Sequence, residues 1–109
     1  MIDEAQIART ESLFRYVNER IAETLARFHG DDARFVCECA DRDCADIVEA
    51  PLEEYERMRR DGAQFLVAPG HEEAPVERTV RCGRGFRIVQ KLGRAGRIAR
   101  HLDPRTEPA

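Results

Sequence analysis

A tight group of cysteines is the feature that most constrains this chain. Cys37, Cys39 and Cys44 fall within eight residues of a polar segment, in the spacing C-x-C-x4-C. Thiolates so close in sequence can chelate one metal ion at little cost in loop-closure entropy. Structural zinc sites use four ligands, usually thiolates with up to two imidazoles. The spacing therefore predicts a zinc site that needs one more ligand from elsewhere in the chain.

Two residues are candidates for the fourth ligand. His71 follows Pro69-Gly70, a strong turn signal that would hold the imidazole at a fixed angle. Cys82 lies near the end of a predicted strand, where a cysteine is often a small buried hydrophobe. We therefore favour His71 over Cys82. Iron in place of zinc, and reduced cysteines without a metal, are alternatives on ligand chemistry alone.

Length and composition predict one small domain. The chain has 109 residues, of which 42% are hydrophobic and 36% are charged, and it contains no Trp. It begins with an acidic segment that lacks the basic and apolar regions of a signal peptide, and no apolar run approaches the ~20 residues that span a bilayer. We expect a cytoplasmic protein that does not enter membranes, whose thiols stay reduced and bind metal rather than form disulfides.

The charges are distributed unevenly. Residues 1–77 hold nine arginines and nineteen acidic residues, whereas residues 78–109 hold nine basic and two acidic residues. A basic C-terminal part could bind nucleic acid or another polyanion, or it could dock on the acidic part of the same chain or of a second subunit. The candidate polyanion-binding residues are Arg78, Arg81, Arg84, Arg87, Arg94, Arg97 and Arg100.

Residues 3–28 contain no Gly or Pro and have the pattern of one long amphipathic helix. Ile7, Phe14, Ile21 and Phe28 recur every seven residues, and Gly30 is typical of a helix end. This apolar stripe predicts a helix that packs on the rest of the protein. A homodimer formed through the same helix is the alternative, because a seven-residue repeat can also seed a coiled coil.

The remainder predicts an α+β fold. We expect a small, mainly antiparallel sheet with a short middle helix starting at Pro51, a further short helix near the C-terminus, and disorder from Asp103 onward. The predicted strands are residues 34–39, 47–48, 65–67, 76–82 and 86–92, the last two forming a hairpin around Gly83-Arg84-Gly85. The predicted organisation is an N-terminal helix (1–30), a zinc-stapled core (31–92) and a basic C-terminal segment (93–109), with a short helix over 95–102.

The order Phe-Val-Cys-Glu-Cys, Asp-x-x-Cys, Leu-Glu-Glu-Tyr-Glu and Pro-Gly-His-Glu resembles a family of small bacterial proteins of unknown function. The resemblance covers roughly residues 14–92. It implies a zinc site at the three clustered cysteines and His71, and it implies no known activity. Cys82 lies outside the pattern, and the Ala50-Pro51 helix start departs from the hydroxyl cap expected there.

The sequence favours a non-enzymatic function. Three thiolates and an imidazole would fill a zinc tetrahedron and leave no position for substrate, and no nucleophile triad, P-loop or dinucleotide fingerprint is present. We predict a module with structural zinc, acting as an adaptor or regulatory protein that binds a protein or nucleic-acid partner. The alternative is a redox or metal-responsive switch that uses the same thiols.

Overall fold

The computed structural model of the chain describes residues 4–27, 32–41, 43–72 and 76–105. Three helices and five strands follow one another in the order α1 (Glu4–Arg27), β1 (Asp32–Val36), β2 (Ile47–Pro51), α2 (Leu52–Met58), β3 (Gln64–Val67), β4 (Glu77–Gly83), β5 (Phe86–Lys91) and α3 (Gly93–His101). The predicted α+β class, with a long N-terminal helix and antiparallel strands, is confirmed.

The strands form two antiparallel sheets. β1 pairs with β2 as a hairpin in which Phe35 lies opposite Val48, and the other three strands have the order β3-β5-β4. The β4–β5 turn occurs where the glycines predicted it, with Gly85 in the left-handed region at φ 83°. Strand β1 ends at Val36, three residues earlier than predicted. The residues that follow β1 form part of the candidate metal centre instead.

One continuous core joins both sheets and α2. Phe35 of β1 stacks on Tyr55 of α2 with ring centroids 4.5 Å apart, and Phe65, Ile88 and other apolar side chains of the second sheet complete the core. A side chain of this size contributes about 1.5–3 kcal/mol when fully buried. Pro51 precedes the first residue of α2, one position before the site predicted for it.

Helix α1 packs on the rest of the protein with a face that we did not predict. The predicted stripe is only half-buried at Ile7, Phe14 and Ile21. Beside it, Leu13, Tyr16 and Val17 have exposed fractions of 64%, 57% and 40%. Ile21 and Leu25 are only partly buried against the core. Phe28 and Gly30, to which the prediction also referred, lie outside the described residues. The residues of α1 that are buried are Ala8, Thr10, Glu11, Arg15, Asn18, Glu19 and Ala22.

Polar contacts explain the orientation of α1. Arg15 donates to the carbonyl oxygens of Gly62 (2.8 Å) and Gln64, and its guanidinium lies 3.7 Å from the centre of the Phe65 ring. Glu19 pairs with Arg59 at 2.7 Å. Because each of these buried charges has a partner on the rest of the protein, the polar face can be buried without the full desolvation cost.

A second ion cluster lies under the first half of α1. The Lys91 ammonium of β5 contacts the carboxyl groups of both Glu11 and Glu77, and all three side chains are buried. Burial raises the pKa of Glu11 to about 8, although the nearby Lys91 opposes that shift. One ammonium thus faces two buried carboxyl groups, and the raised pKa favours the protonated form of Glu11 in the folded protein.

Asp103, Pro104 and Arg105 have a defined place beyond α3, which corrects the prediction of disorder for these residues. Residues 106–109 lie outside the described residues. Asp103 pairs with Arg59, and Arg105 pairs with Glu19 and Glu56. The attraction of Arg59 helps to lower the pKa of Asp103. The basic C-terminal part thus docks in part on acidic residues of the same chain, one of the alternatives that the charge distribution left open.

Candidate metal centre

Four side chains from two separate parts of the chain converge at one end of the β1–β2 hairpin. Cys37 and Cys39 directly follow β1, Cys44 lies in the turn before β2, and His71 follows β3. One ligand atom of each residue lies within 4.8 Å of the corresponding atoms of the other three. The structure therefore brings together all four residues for which the sequence predicted a metal site.

Local turns place the cysteines. The Asp43 N–H donates to the Asp41 side chain (2.9 Å), and the Cys44 N–H donates to the Asp41 carbonyl oxygen (3.0 Å). This turn reverses the chain and returns Cys44 toward Cys37 and Cys39. The predicted strand over residues 34–39 would place Cys37 and Cys39 on one side of an extended segment. Their sulfur atoms do converge, but after the strand has ended and with the help of this turn.

The Pro69-Gly70 turn places His71 as predicted. The His71 N–H donates to the Ala68 carbonyl oxygen at 3.0 Å, and Gly70 has a φ of 90°. Proline at the second position and a positive φ at the third define a type II turn, which glycine accommodates without strain. His71 Nδ1 lies 3.6 Å from Sγ of both Cys37 and Cys44.

Asp46 is a component of the centre that the sequence did not predict. Its Oδ2 lies 3.1 Å from Nε2 of His71, on the side of the ring opposite the thiols. Metal-binding histidines usually donate their second ring N–H to a carboxylate or carbonyl oxygen, which fixes the ring orientation. The presence of an acidic residue two positions after Cys44 was the only available signal. Asp46 orients His71 so that Nδ1 faces the sulfur atoms.

The environment of the thiols favours metal binding over free thiolate chemistry. Cys37 and Cys39 are buried, and this burial raises the pKa of both thiols. The Ala68 N–H donates to Cys37 Sγ at 3.2 Å, which would stabilise negative charge on that sulfur. Without a cation the two thiols are therefore neutral at physiological pH, whereas a bound metal ion would replace their protons.

Glu38 lies between two of the cysteines but does not face them. Its carboxylate accepts hydrogen bonds from Asn18 Nδ2 (2.8 Å) and from the Leu66 N–H (3.0 Å), and the side chain is fully buried. Burial raises the pKa of Glu38, while the positive charge of Arg15 opposes that shift. Glu38 thus links the cysteine segment to α1 and β3.

The remaining predicted residues do not join the centre. Cys82 is exposed on β4. Arg81 pairs with Glu54 (2.8 Å), Arg100 pairs with Asp61 (3.2 Å), and Arg87 donates to carbonyl oxygens of its own hairpin. Five of the seven candidate arginines are exposed: Arg78, Arg84, Arg94, Arg97 and Arg100. Of these, Arg94 and Arg97 line a hollow between α1 and α3, whereas Arg84 lines a different one beside β1 and β2. The seven arginines therefore do not line one common groove.

Comparisons with protein-family models, with curated proteins and with solved structures found no match for this chain. Among the helices described, none is long and apolar enough to cross a membrane. The fold and the centre define an α+β protein with a cluster of three cysteines and one histidine that could hold a metal ion.

Proposed function

We propose that this protein is a small zinc-binding module in which Cys37, Cys39, Cys44 and His71 hold one structural zinc ion. The carrying observation is the convergence of the four side chains. With Zn–S near ~2.3 Å and Zn–N near ~2.0 Å, sulfur and nitrogen ligands of a tetrahedral site lie about 3.5 Å apart. The Cys37 and Cys44 sulfur atoms lie 3.6 Å from His71 Nδ1. Soft thiolates with one imidazole are also a donor set that zinc prefers.

The arrangement favours a structural ion over a catalytic one. Four protein ligands complete a tetrahedron, whereas catalytic zinc keeps one position open for water or substrate. Glu38 lies between Cys37 and Cys39 in sequence, but its carboxylate is held away from the centre by Asn18 and Leu66. A bound zinc would join the segment after β1 to the turn after β3. This role needs no activity, and we propose none.

We further propose that the module acts in the cytoplasm as an adaptor or regulatory protein and that its partner is a protein. The candidate polyanion-binding arginines are dispersed, and two of them pair with acidic residues of this chain. Helix α1 instead presents exposed apolar side chains, including Leu13 and Tyr16. Apolar patches of this kind favour contact with protein over contact with phosphates.

A thiol-based switch is less well supported. Redox-sensing cysteines are accessible and have a lowered pKa, which keeps them as reactive thiolates. Burial has the opposite effect on the pKa of Cys37 and Cys39.

Metal analysis tests the zinc proposal. Protein purified without added metal should contain about one zinc ion per chain. His71→Ala should weaken zinc retention strongly, whereas the matched control Cys82→Ser should retain the ion. A fully folded metal-free protein, or one loaded with iron, would contradict the proposal. Loss of zinc from Cys82→Ser, with full retention by His71→Ala, would transfer the ligand role to Cys82.

Binding experiments test the class of partner. Zinc-loaded protein should recover a specific host protein, and Leu13→Asp should reduce that recovery. Zinc content is measured alongside to show that the variant is intact. Tight, salt-dependent binding to a generic DNA duplex or RNA, with no protein recovered, would show that the partner is nucleic acid instead.

A further inference from the structure

The outer edge of strand β1 is open. The Cys37 N–H donates to Asp46 across the hairpin, so by the alternation of an antiparallel ladder Ala33 and Phe35 bond to β2. The backbone groups of Asp32, Arg34 and Val36 consequently point away from β2. Asn18 satisfies Val36 through hydrogen bonds of 2.8 Å to its N–H and its carbonyl oxygen. The outward backbone groups of Asp32 and Arg34 have no hydrogen-bond partner among the described residues.

An apolar groove runs beside this open edge. It has a volume of about 540 Å³ and lies between α1 and β1. Tyr16, Val17, Ile21 and Leu25 line it from α1, and Ala33 lines it from β1. An unpaired strand edge next to apolar side chains is a site at which a further strand can add to a sheet.

We propose that a second copy of this chain occupies the groove, with the two β1 strands paired antiparallel around Ala33. The occupant is inferred from the charges on the edge. The free backbone groups belong to Asp32 and Arg34, and they can form hydrogen bonds between two copies only if these residues lie opposite one another. Three registers meet this condition: those centred on Asp32, on Ala33 and on Arg34. A register centred on Arg34 or on Asp32 places that residue opposite itself, which brings like charges together.

The register centred on Ala33 is self-complementary. It places Asp32 opposite Arg34 of the second copy, and the two-fold symmetry repeats the pair. The small Ala33 side chains then meet at the axis, where a pair without hydrogen bonds brings strands closest together. Arg34 already lies near Glu49 of its own hairpin, at 3.9 Å, so charges of alternating sign would run across the joined sheet.

The same symmetry accounts for the apolar side chains that α1 leaves exposed or half-buried beside the groove. A two-fold axis perpendicular to the joined sheet keeps both α1 helices on one face of it. Val17, Ile21 and their counterparts in the second copy would then lie on the same side of a four-stranded sheet of order β2-β1-β1-β2. Association would cover apolar surface that a single chain leaves in contact with water.

Sedimentation equilibrium of the zinc-loaded protein tests the proposal. The mass should rise with concentration to twice the 12.5 kDa of one chain. Arg34→Asp and Asp32→Arg should each weaken dimerisation at least about tenfold, because each turns two attractive cross-strand pairs into repulsive ones. Arg78→Asp, an equal change of charge at an exposed site on β4, should leave the dimer unchanged.

Mixing the two variants makes the test specific for the register. Arg34→Asp carries two acidic residues on the edge and Asp32→Arg carries two basic ones, so an equimolar mixture should form a heterodimer. The double variant with both substitutions should again form a homodimer. The proposal is wrong if the protein stays monomeric, if Arg34→Asp dimerises normally, or if the mixture does not associate. Zinc content, measured on every variant, separates these results from failure of the metal site.

Discussion

A metal ion at the candidate centre and the buried polar contacts under helix α1, here called the seam, would hold the same small core together in different ways. At the centre, four ligand atoms lie within 4.8 Å of one another. Along the seam, the contacts are spread over the helix, from the Glu11–Lys91 pair through Arg15 and Asn18 to the Glu19–Arg59 pair. With the proposed zinc bound, the centre would concentrate its stabilisation in one cross-link, whereas the seam divides its stabilisation among several buried polar contacts.

The difference affects how each region can fail. A zinc site loses most of its free energy when one ligand or the ion is removed. A seam of separate contacts loses stability in steps, and each step depends on whether the removed group leaves a buried partner unsatisfied. The centre should therefore respond to metal as a unit, and the seam should respond residue by residue and to pH.

The largest effect should follow from removal of the metal. Structural zinc contributes on the order of 10 kcal/mol, which is comparable to the whole stability of a domain this size. A strong chelator, or Cys37→Ser, should abolish cooperative unfolding and lower the helical signal in circular dichroism. Cys82→Ser is the matched control. A metal-free protein with an unchanged melting temperature would show that the seam and core suffice.

Arg15→Met should be the most damaging substitution along the seam. It leaves the carbonyl oxygens of Gly62 and Gln64 unsatisfied and removes a positive charge that stabilises the buried Glu38. We expect a loss of about 3–5 kcal/mol in denaturant unfolding of the zinc-loaded protein. Arg20→Met, at an exposed position of the same helix, should cost far less. Equal losses in the two variants would mean that the buried contacts of Arg15 add nothing.

The pH dependence of the seam should be visible through Glu11. Its pKa rises from 4.5 to about 8 on folding, so between these values the folded state holds a proton that the unfolded state releases. The contribution of Glu11 is complete below pH 4.5 and is lost as the pH rises through 8. Glu11→Gln cannot release this proton. The free energy of unfolding of the Glu11→Gln variant, relative to that of the unmodified protein, should therefore increase with pH by up to about 1.4 kcal/mol per pH unit.

Denaturant titrations of both proteins between pH 5 and 8 provide the measurement. Taking the difference between them cancels the opposite pH dependence of the zinc thiolates. If the difference in the free energy of unfolding between the two proteins stays constant with pH, Glu11 is ionised in the folded protein and the prediction is wrong.

The smallest effect should come from the surface. Arg81 and Glu54 pair at 2.8 Å, but both side chains are more than a quarter exposed. Arg81→Ala should change the free energy of unfolding by less than about 1 kcal/mol. A loss above about 2 kcal/mol would show that this pair belongs with the buried seam.

The sequence allowed the centre to be predicted because its signals are local. The spacing of Cys37, Cys39 and Cys44 and the Pro69-Gly70 turn limit what those residues can do, whatever surrounds them. Asp46 was missed because an acidic residue near a cysteine is common, and only the folded hairpin shows that it meets His71. The early end of β1 was missed for a similar reason, since residues 37–39 alternate like a strand.

The buried face of α1 could not be predicted by the same means. Hydrophobic periodicity assumes that apolar side chains face inward, but a charged residue can be buried when distant groups satisfy it. The carbonyl oxygens that accept from Arg15 lie 47 and 49 residues away in sequence. No local pattern records that such acceptors are available. The proposed pairing of two β1 strands offers one reason why α1 leaves apolar side chains exposed.

The order of the ligands along the chain has a consequence for protein synthesis. The three cysteines leave the ribosome first, and His71 follows 27 residues after Cys44. A growing chain would therefore present three possible thiolate ligands for the proposed zinc ion before it presents the fourth. His71 joins the three cysteines only with the turn after β3, the strand whose Leu66 bonds to Glu38. At the proposed zinc site, capture of the ion and closure of its coordination sphere would thus be separate events, and closure would accompany the arrival of the second sheet.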